Sequence, residues 1–234
     1  PLPGHVYPIG GEPKAVEGGQ PVDSPLGKAI SERGSTRRFD RQDIPFDKFA
    51  AVLAAAASPV AADFLGEGQL SLLEPYLIVN GVQDLPSGSY FFSIRDSRLE
   101  ELRLGEMRHE AGHLCFEQAL GADASAVVYL MVDLEAVLAK YGNRGYRLAQ
   151  LEAGILGGRI YLCAHALGLG ATGMTFYDDD VTEYFSPHAA GKSLMFLVAL
   201  GKTHANNRVR PFRSRVGVLL DSMARGASGP GSPG

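Results

Sequence analysis

The sequence predicts an α+β domain in which helices flank a central sheet in three layers. Short apolar runs at residues 76–80, 126–133 and 194–201 read as strands, and they alternate with helical patterns at 47–57 and 146–167. A hairpin signature over residues 88–102, turning at Arg95-Asp96-Ser97, argues against an all-parallel sheet, so a mixed one is expected. With 45% hydrophobic residues in 234, the chain can also bury a substantial core.

Taken in order, Ser24-Pro25 sets a helix cap before proline at the first helical position. That helix continues through Leu26 and Ile30 to Arg33-Gly34. A second helix is expected over 47–57, a strand over 76–80 and the hairpin over 88–102. Residues 106–120 read as one helix, 126–133 as a buried strand and 134–141 as a short helix. The longest helix runs from about 146 to 167, with Gly154, Gly157 and Gly158 on closely spaced turns. Three glycines inside a helix each cost roughly 1 kcal/mol against alanine, which implies close approach of another backbone. A strand over 170–176, a helical turn over 181–185 and a buried strand over 194–201 complete the domain. It spans residues 24–225, with a Gly- and Pro-rich leading arm at 1–23 and a flexible tail at 226–234.

The net charge of −4 argues against a dedicated nucleic-acid binder. No apolar run is long enough to span a bilayer and no secretory signal is visible, so no membrane partner is expected. Two cysteines, Cys115 and Cys163, are too few for a disulfide framework and point to a cytoplasmic location. A start at Pro1 rather than Met raises the expectation that the chain comes from a longer polypeptide.

Two motifs match familiar patterns. His109-Glu110-Ala111-Gly112-His113 fits H-E-x-x-H, in which two imidazoles on one helix face hold zinc beside a glutamate base. Met107, Ala111, Leu114 and Cys115 trace an apolar stripe, however, which turns His109, His113 and Glu117 to the opposite, wet face. Glu135 is a third ligand only by its distance in sequence, so no metal is expected and a zinc hydrolase remains a minor alternative. The run from Gly168 to Gly173 fits G-x-G-x-x-G, but a helix precedes it and a strand follows. A dinucleotide fingerprint needs the reverse order. Gly168 reads instead as the left-handed stop of the long helix.

Three segments carry the chemistry. Arg33-Gly34-Ser35-Thr36-Arg37 at a helix end offers two guanidiniums, hydroxyls and free backbone N–H groups, a donor set that suits a phosphate and an adjoining polyol. Gly168 to Asp180 runs from a glycine-rich turn into a strand. Lys140-Tyr141 leads into the long helix, whose first turns bear Arg144 and Arg147. Acids are favoured at a helix start, so these cations either face water or surround an anion.

Together these segments resemble the SagB-type dehydrogenases of the FMN-dependent nitroreductase superfamily, over roughly residues 34–215. The resemblance implies a nitroreductase-like fold, dimeric because the family builds each flavin site from two subunits. It implies that Arg33, Ser35 and Arg37 hold the FMN phosphate and ribityl chain. Backbone N–H groups of Met174, Thr175 and Phe176 would face flavin N5 and O4, and Arg213 and Arg215 would reach the phosphate from the C-terminal segment. Lys140 and Tyr141 would serve proton removal while the flavin takes a hydride. The activity implied is oxidation of azoline rings in a modified peptide. Alternatives are an NAD(P)H-dependent nitro or quinone reductase and a non-catalytic flavin-site scaffold. The chain departs from the family in two places. Residues 62–75 lack the P-S-G-G-x-x-H-P-like loop, and Ala153-Gly154-Ile155-Leu156-Gly157-Gly158 stands where many relatives have a histidine and a Gln-Asn pair. Both resemble the C-terminal half of tandem-domain proteins, so the partner is either a second copy or a sister domain.

Overall fold

One sheet carries helices on both faces. The computed structural model describes residues 6–8, 25–66, 68–206, 218–219 and 221–223. In chain order its elements are β1 (Val6–Pro8), α1 (Leu26–Glu32), β2 (Phe39–Asp40), α2 (Phe46–Ala57), β3 (Leu73–Val79), β4 (Gly88–Ser93), β5 (Arg98–Leu104), α3 (Arg108–Leu114) and α4 (Ala119–Asp123). They continue with β6 (Ala126–Val132), α5 (Leu134–Tyr141), α6 (Arg144–Ala166), β7 (Gly170–Gly173), α7 (Asp178–Phe185) and β8 (Ser193–Thr203).

The centre is β6, whose sequence AVVYLMV is buried at all seven positions. Successive strand side chains point to opposite faces, so its residues divide between two cores. Ala126, Val128, Leu130 and Val132 pack with Phe49 and Leu53 of α2 and with Ala149, Leu156 and Ile160 of α6. Val127, Tyr129 and Met131 pack with Ala111 and Leu114 of α3 and with Val181 and Phe185 of α7. β8 divides the same way, with Val198 and Leu200 on the first side and Leu197 and Ala199 on the second. Continuous apolar runs are therefore required, because neither face of these strands meets water.

The strand order is β1-β5-β4-β3-β6-β8-β2, with β7 also paired to β8. Every pairing between these strands is antiparallel. The α+β layering thus agrees with expectation, while the mixed character reduces to one isolated parallel bridge, Ile44 to Val82. β1 and β2 were not anticipated, since three and two residues carry no readable periodicity.

The helix expected over 106–120 is two helices. Phe116 and Glu117 adopt left-handed φ of 62° and 57° and break it. The chain folds back so tightly that a Cβ on Gly121 would lie 2.7 Å from Cys115 Sγ. α6 is 23 residues long and ends as the sequence indicates. Gly168 has φ +73°, and the Leu169 amide donates 2.8 Å to the Ala164 carbonyl, closing the helix end. Lys48 Nζ donates 2.8 Å to the Leu167 carbonyl at the same end, where a cation offsets the helix dipole. No described helix is long and apolar enough to cross a membrane.

Candidate functional site

The sequence-derived residues fall into two groups at opposite ends of α6. At 1.5 Å per residue, Arg144 and Tyr161 are separated by roughly 25 Å along the helix axis.

At the C-terminal end, the loop after α1 is fixed to the sheet. The Thr36 amide donates 3.0 Å to the Ala171 carbonyl of β7, and buried Thr36 Oγ1 lies 3.3 Å from Thr203 Oγ1 of β8. Only glycine fits at position 170, because a Cβ there would collide with both threonine hydroxyls. This anchoring turns Arg33 and Ser35, both half-buried, toward α6. Arg33 Cζ stands 4.8 Å over the Tyr161 ring, and Ser35 Oγ lies 3.3 Å from the Tyr161 hydroxyl. The same hydroxyl accepts the Gly173 amide in a short hydrogen bond. Arg33 makes no ion pair among the described residues. Arg37 is exposed two positions beyond Ser35. A half-buried guanidinium without a counterion, beside two hydroxyls, is a donor set that fits a phosphomonoester.

Met174, Thr175 and Phe176 follow directly from this cluster, but not as a strand. β7 ends at Gly173, where the Phe196 ring lies so close that a Cβ would stand 2.7 Å from its Cζ. The next residues lie outside the ladder. Thr175 Oγ1 accepts a 2.9 Å bond from Gln118 Nε2, which ties the segment to the corner between α3 and α4. Met174 and Phe176 pack onto the second core. Arg213 and Arg215 lie outside the described residues.

At the N-terminal end, Lys140 and Tyr141 close α5 and fasten the long segment between α2 and β3. Tyr141 Oη donates 2.5 Å to the Phe64 carbonyl, and exposed Lys140 Nζ donates 3.2 Å to Gln69 Oε1. Lys140 Nζ also sits 4.9 Å from the centre of the Tyr141 ring. Asp63, Phe64, Tyr141, Arg144 and Leu148 line an open cleft of about 260 Å³. Arg144 and Arg147 are both exposed, without an ion pair among the described residues.

Farther along α6, Arg159 donates to the carbonyls of Ser58 and Pro59, and Glu152 Oε2 accepts 2.9 Å from the Leu72 amide. Glu152 is wholly buried, and among the described residues its Oε1 has no hydrogen-bond partner within geometric limits. Burial raises its carboxyl pKa above the usual 4.5, against the lowering effect of Ser71, the Leu72 amide and Arg159. Sequence reading passed over Glu152, yet a lone acid in the middle of an apolar helix face was a visible signal.

The H-E-x-x-H helix is α3. Met107, Ala111, Leu114 and Cys115 are buried, His109 is exposed, and His113 is engaged on both ring nitrogens. Nδ1 lies 2.5 Å from Glu117 Oε1 and Nε2 lies 3.0 Å from Asp180 Oδ2. Among the described residues no group of three His, Cys, Asp or Glu is placed to hold a metal.

Comparison with known proteins defines the class. The nitroreductase family model matches residues 30–202, most of the chain, and the chain belongs to that family. A protein of Methanocaldococcus jannaschii named as a nitroreductase is 30% identical over 112 residues, 47% of this chain and 57% of the relative. A nitroreductase-like structure from Anabaena variabilis superposes with a TM-score of 0.68 at 32% identity, covering 76% of this chain and 38% of that one. The chain thus spans little more than half of the one relative and well under half of the other. Two more distant structures share the fold. The Escherichia coli microcin synthetase McbBCD complex, with truncated pro-MccB17 bound, gives a TM-score of 0.62 at 16% identity over 80% and 75% of the two chains. The NADPH:FMN oxidoreductase of Vibrio harveyi, complexed with NAD+, gives 0.56 at 16% over 86% and 82%.

Proposed function

We propose that this chain is an FMN-dependent oxidoreductase of the SagB type, which oxidises azoline rings in a modified peptide and works as a two-fold dimer or against a sister domain. The observation that carries the reading is the cluster of Arg33, Ser35, Tyr161 and the Gly173 amide, anionic-ligand chemistry built at the end of β7. Family membership supports a flavin. The support for a peptide substrate is the McbBCD neighbour, solved with truncated pro-MccB17 bound.

In this reading Arg33, Ser35 and Arg37 bind the FMN phosphate by charge-assisted hydrogen bonds. The backbone amides of Met174, Thr175 and Phe176 would help to hold the flavin ring, an orienting role that tolerates side-chain change. FMN, when bound, supplies hydride acceptance. Lys140 and Tyr141 would serve proton removal from substrate carbon, with the neutral Lys140 amine accepting the proton and the Tyr141 hydroxyl donating a hydrogen bond. Phe64 and Tyr141 would wall the cleft that positions the heterocycle. Because α6 separates these duties by roughly 25 Å, in this reading each site takes its proton-handling pair from the other subunit or the sister domain.

The test is the visible spectrum of purified protein, followed by chromatography of the released cofactor. The chain has no Trp, so flavin will dominate fluorescence. FMN, together with turnover of an azoline-bearing peptide, is the expected result. Protein that stays colourless after incubation with FMN rejects the reading. Flavin-bound protein that reduces quinones with NAD(P)H and ignores azolines moves the assignment to the reductase alternative.

A further inference from the structure

Tyr161 was not among the residues that either the sequence patterns or the resemblance supplied, yet two other chain segments converge on it. Its hydroxyl oxygen accepts the Gly173 amide proton at the end of β7. The phenol has one proton of its own, and Ser35 Oγ stands 3.3 Å away. The Ser35–Tyr161 bond can run in either direction; with a phosphate beyond Ser35, the phenol can donate to Ser35 Oγ and leave the serine proton for that third partner. Relays of this kind polarise one another and strengthen the outer donor.

Arg33 adds a second constraint. Its guanidinium carbon sits 4.8 Å over the Tyr161 ring. A guanidinium held over an aromatic ring at this distance can keep N–H groups free to engage a phosphate. The amide that starts the relay is held by packing from the other side. A Cβ at position 173 would meet Phe196 Cζ at 2.7 Å, so β7 must present bare backbone there. One phenol thus orients both the cation and the hydroxyl of a phosphate cradle.

We infer that Tyr161 is a positioning residue for the phosphate end of the flavin, setting the preference for FMN over riboflavin by aiming Ser35 and Arg33. The inference rests on the flavin reading above but assigns a role that the reading does not require. A purely structural role would affect any flavin equally, whereas this role acts only where a phosphate is present.

The experiment titrates cofactor-free full-length protein with FMN and, separately, with riboflavin, reading flavin fluorescence. Tyr161→Phe keeps the ring under Arg33 and removes the hydroxyl. It is expected to weaken FMN about tenfold, the scale of one charge-assisted hydrogen bond, and to leave riboflavin unchanged. Ser35→Ala, a surface-loop change with little risk to folding, should give a similar selective loss. The double variant should bind FMN no more weakly than the worse single one, because both changes cut the same relay. Equal losses for FMN and riboflavin, or strictly additive losses in the double variant, overturn the inference. Tyr161→Phe matching wild type overturns it while leaving the flavin reading intact. A wild type that binds neither flavin overturns both.

Discussion

Single side chains in this fold divide into those that fasten segments and those left open to a ligand. His113 belongs to the first kind, with a carboxylate on each ring nitrogen. A neutral imidazole donates from one nitrogen only, so satisfying Glu117 and Asp180 together requires the imidazolium. The hydrogen bond that His113 donates to Glu117 holds its pKa above the ordinary 6.5 against the lowering effect of desolvation, and the bond it donates to Asp180 adds to the rise. A raised folded-state pKa contributes stability that is fully present below about 6.5 and lost as pH rises through the folded value. Urea unfolding of wild type and His113→Gln across pH 5.5–9 should show a gap between the two that is widest at the acidic end and closes toward the alkaline end. A gap independent of pH would assign the histidine a packing role only. Tyr141 offers a second separation of roles. Tyr141→Phe removes the bond to the Phe64 carbonyl, which should cost about 1 kcal/mol of stability. If the hydroxyl also handles a proton, azoline turnover should fall on the order of 10²–10⁴-fold with flavin content unchanged. At this scale the sequence was partly legible. Arg33 and Ser35 stood out as donors at a helix end, and the apolar stripe of Met107, Ala111, Leu114 and Cys115 was rightly read as the buried face. Tyr161 did not stand out, because an aromatic in a helical pattern reads as core and its serine partner lies 126 positions away.

Elements were legible where periodicity ran long and obscure where chain geometry turned on one or two residues. The buried strands, the hairpin and the left-handed stop at Gly168 follow from apolar runs and turn residues. The break between α3 and α4 does not, since Phe116 and Glu117 are ordinary residues whose left-handed conformations are imposed by the packing of Gly121 on Cys115. The glycines of α6 are a case where pattern pointed to the right helix and the wrong uniformity. A Cβ on Gly157 would lie 2.5 Å from Phe196 Cε1, whereas Gly154 and Gly158 have nothing within 4 Å in the same chain. Gly157→Ala should therefore overpack the Phe196 wedge and cost about 1–3 kcal/mol despite the better helix propensity. Gly154→Ala and Gly158→Ala should each stabilise the isolated chain by up to about 1 kcal/mol. Chemical denaturation at two protein concentrations separates the cases. If those two variants lose stability only at high concentration, their open face is covered by another chain.

The whole molecule is organised around α6, which has ligand-donor chemistry at one end and the Lys140–Tyr141 pair at the other. The two-sided burial of β6 and β8 made the layered architecture readable from composition and apolar runs alone. The separation of the two groups was not readable, because sequence spacing gives no distance until a helix is known to be straight and continuous over 23 residues. If each site draws Lys140 and Tyr141 from the opposite subunit, two inactive proteins should repair one another. An Arg33→Ala chain lacks the phosphate end of its own site but still lends an intact pair. A Lys140→Ala/Tyr141→Phe chain has the reverse defect. Unfolded together and refolded as a mixture, about half the dimers would be hybrids, and each hybrid would contain one site free of substitutions and one carrying them all. Activity should climb from near zero to about a quarter of wild type at equal mixing and vary with the product of the two fractions. Chains that work alone would give only the sum of two inactive preparations.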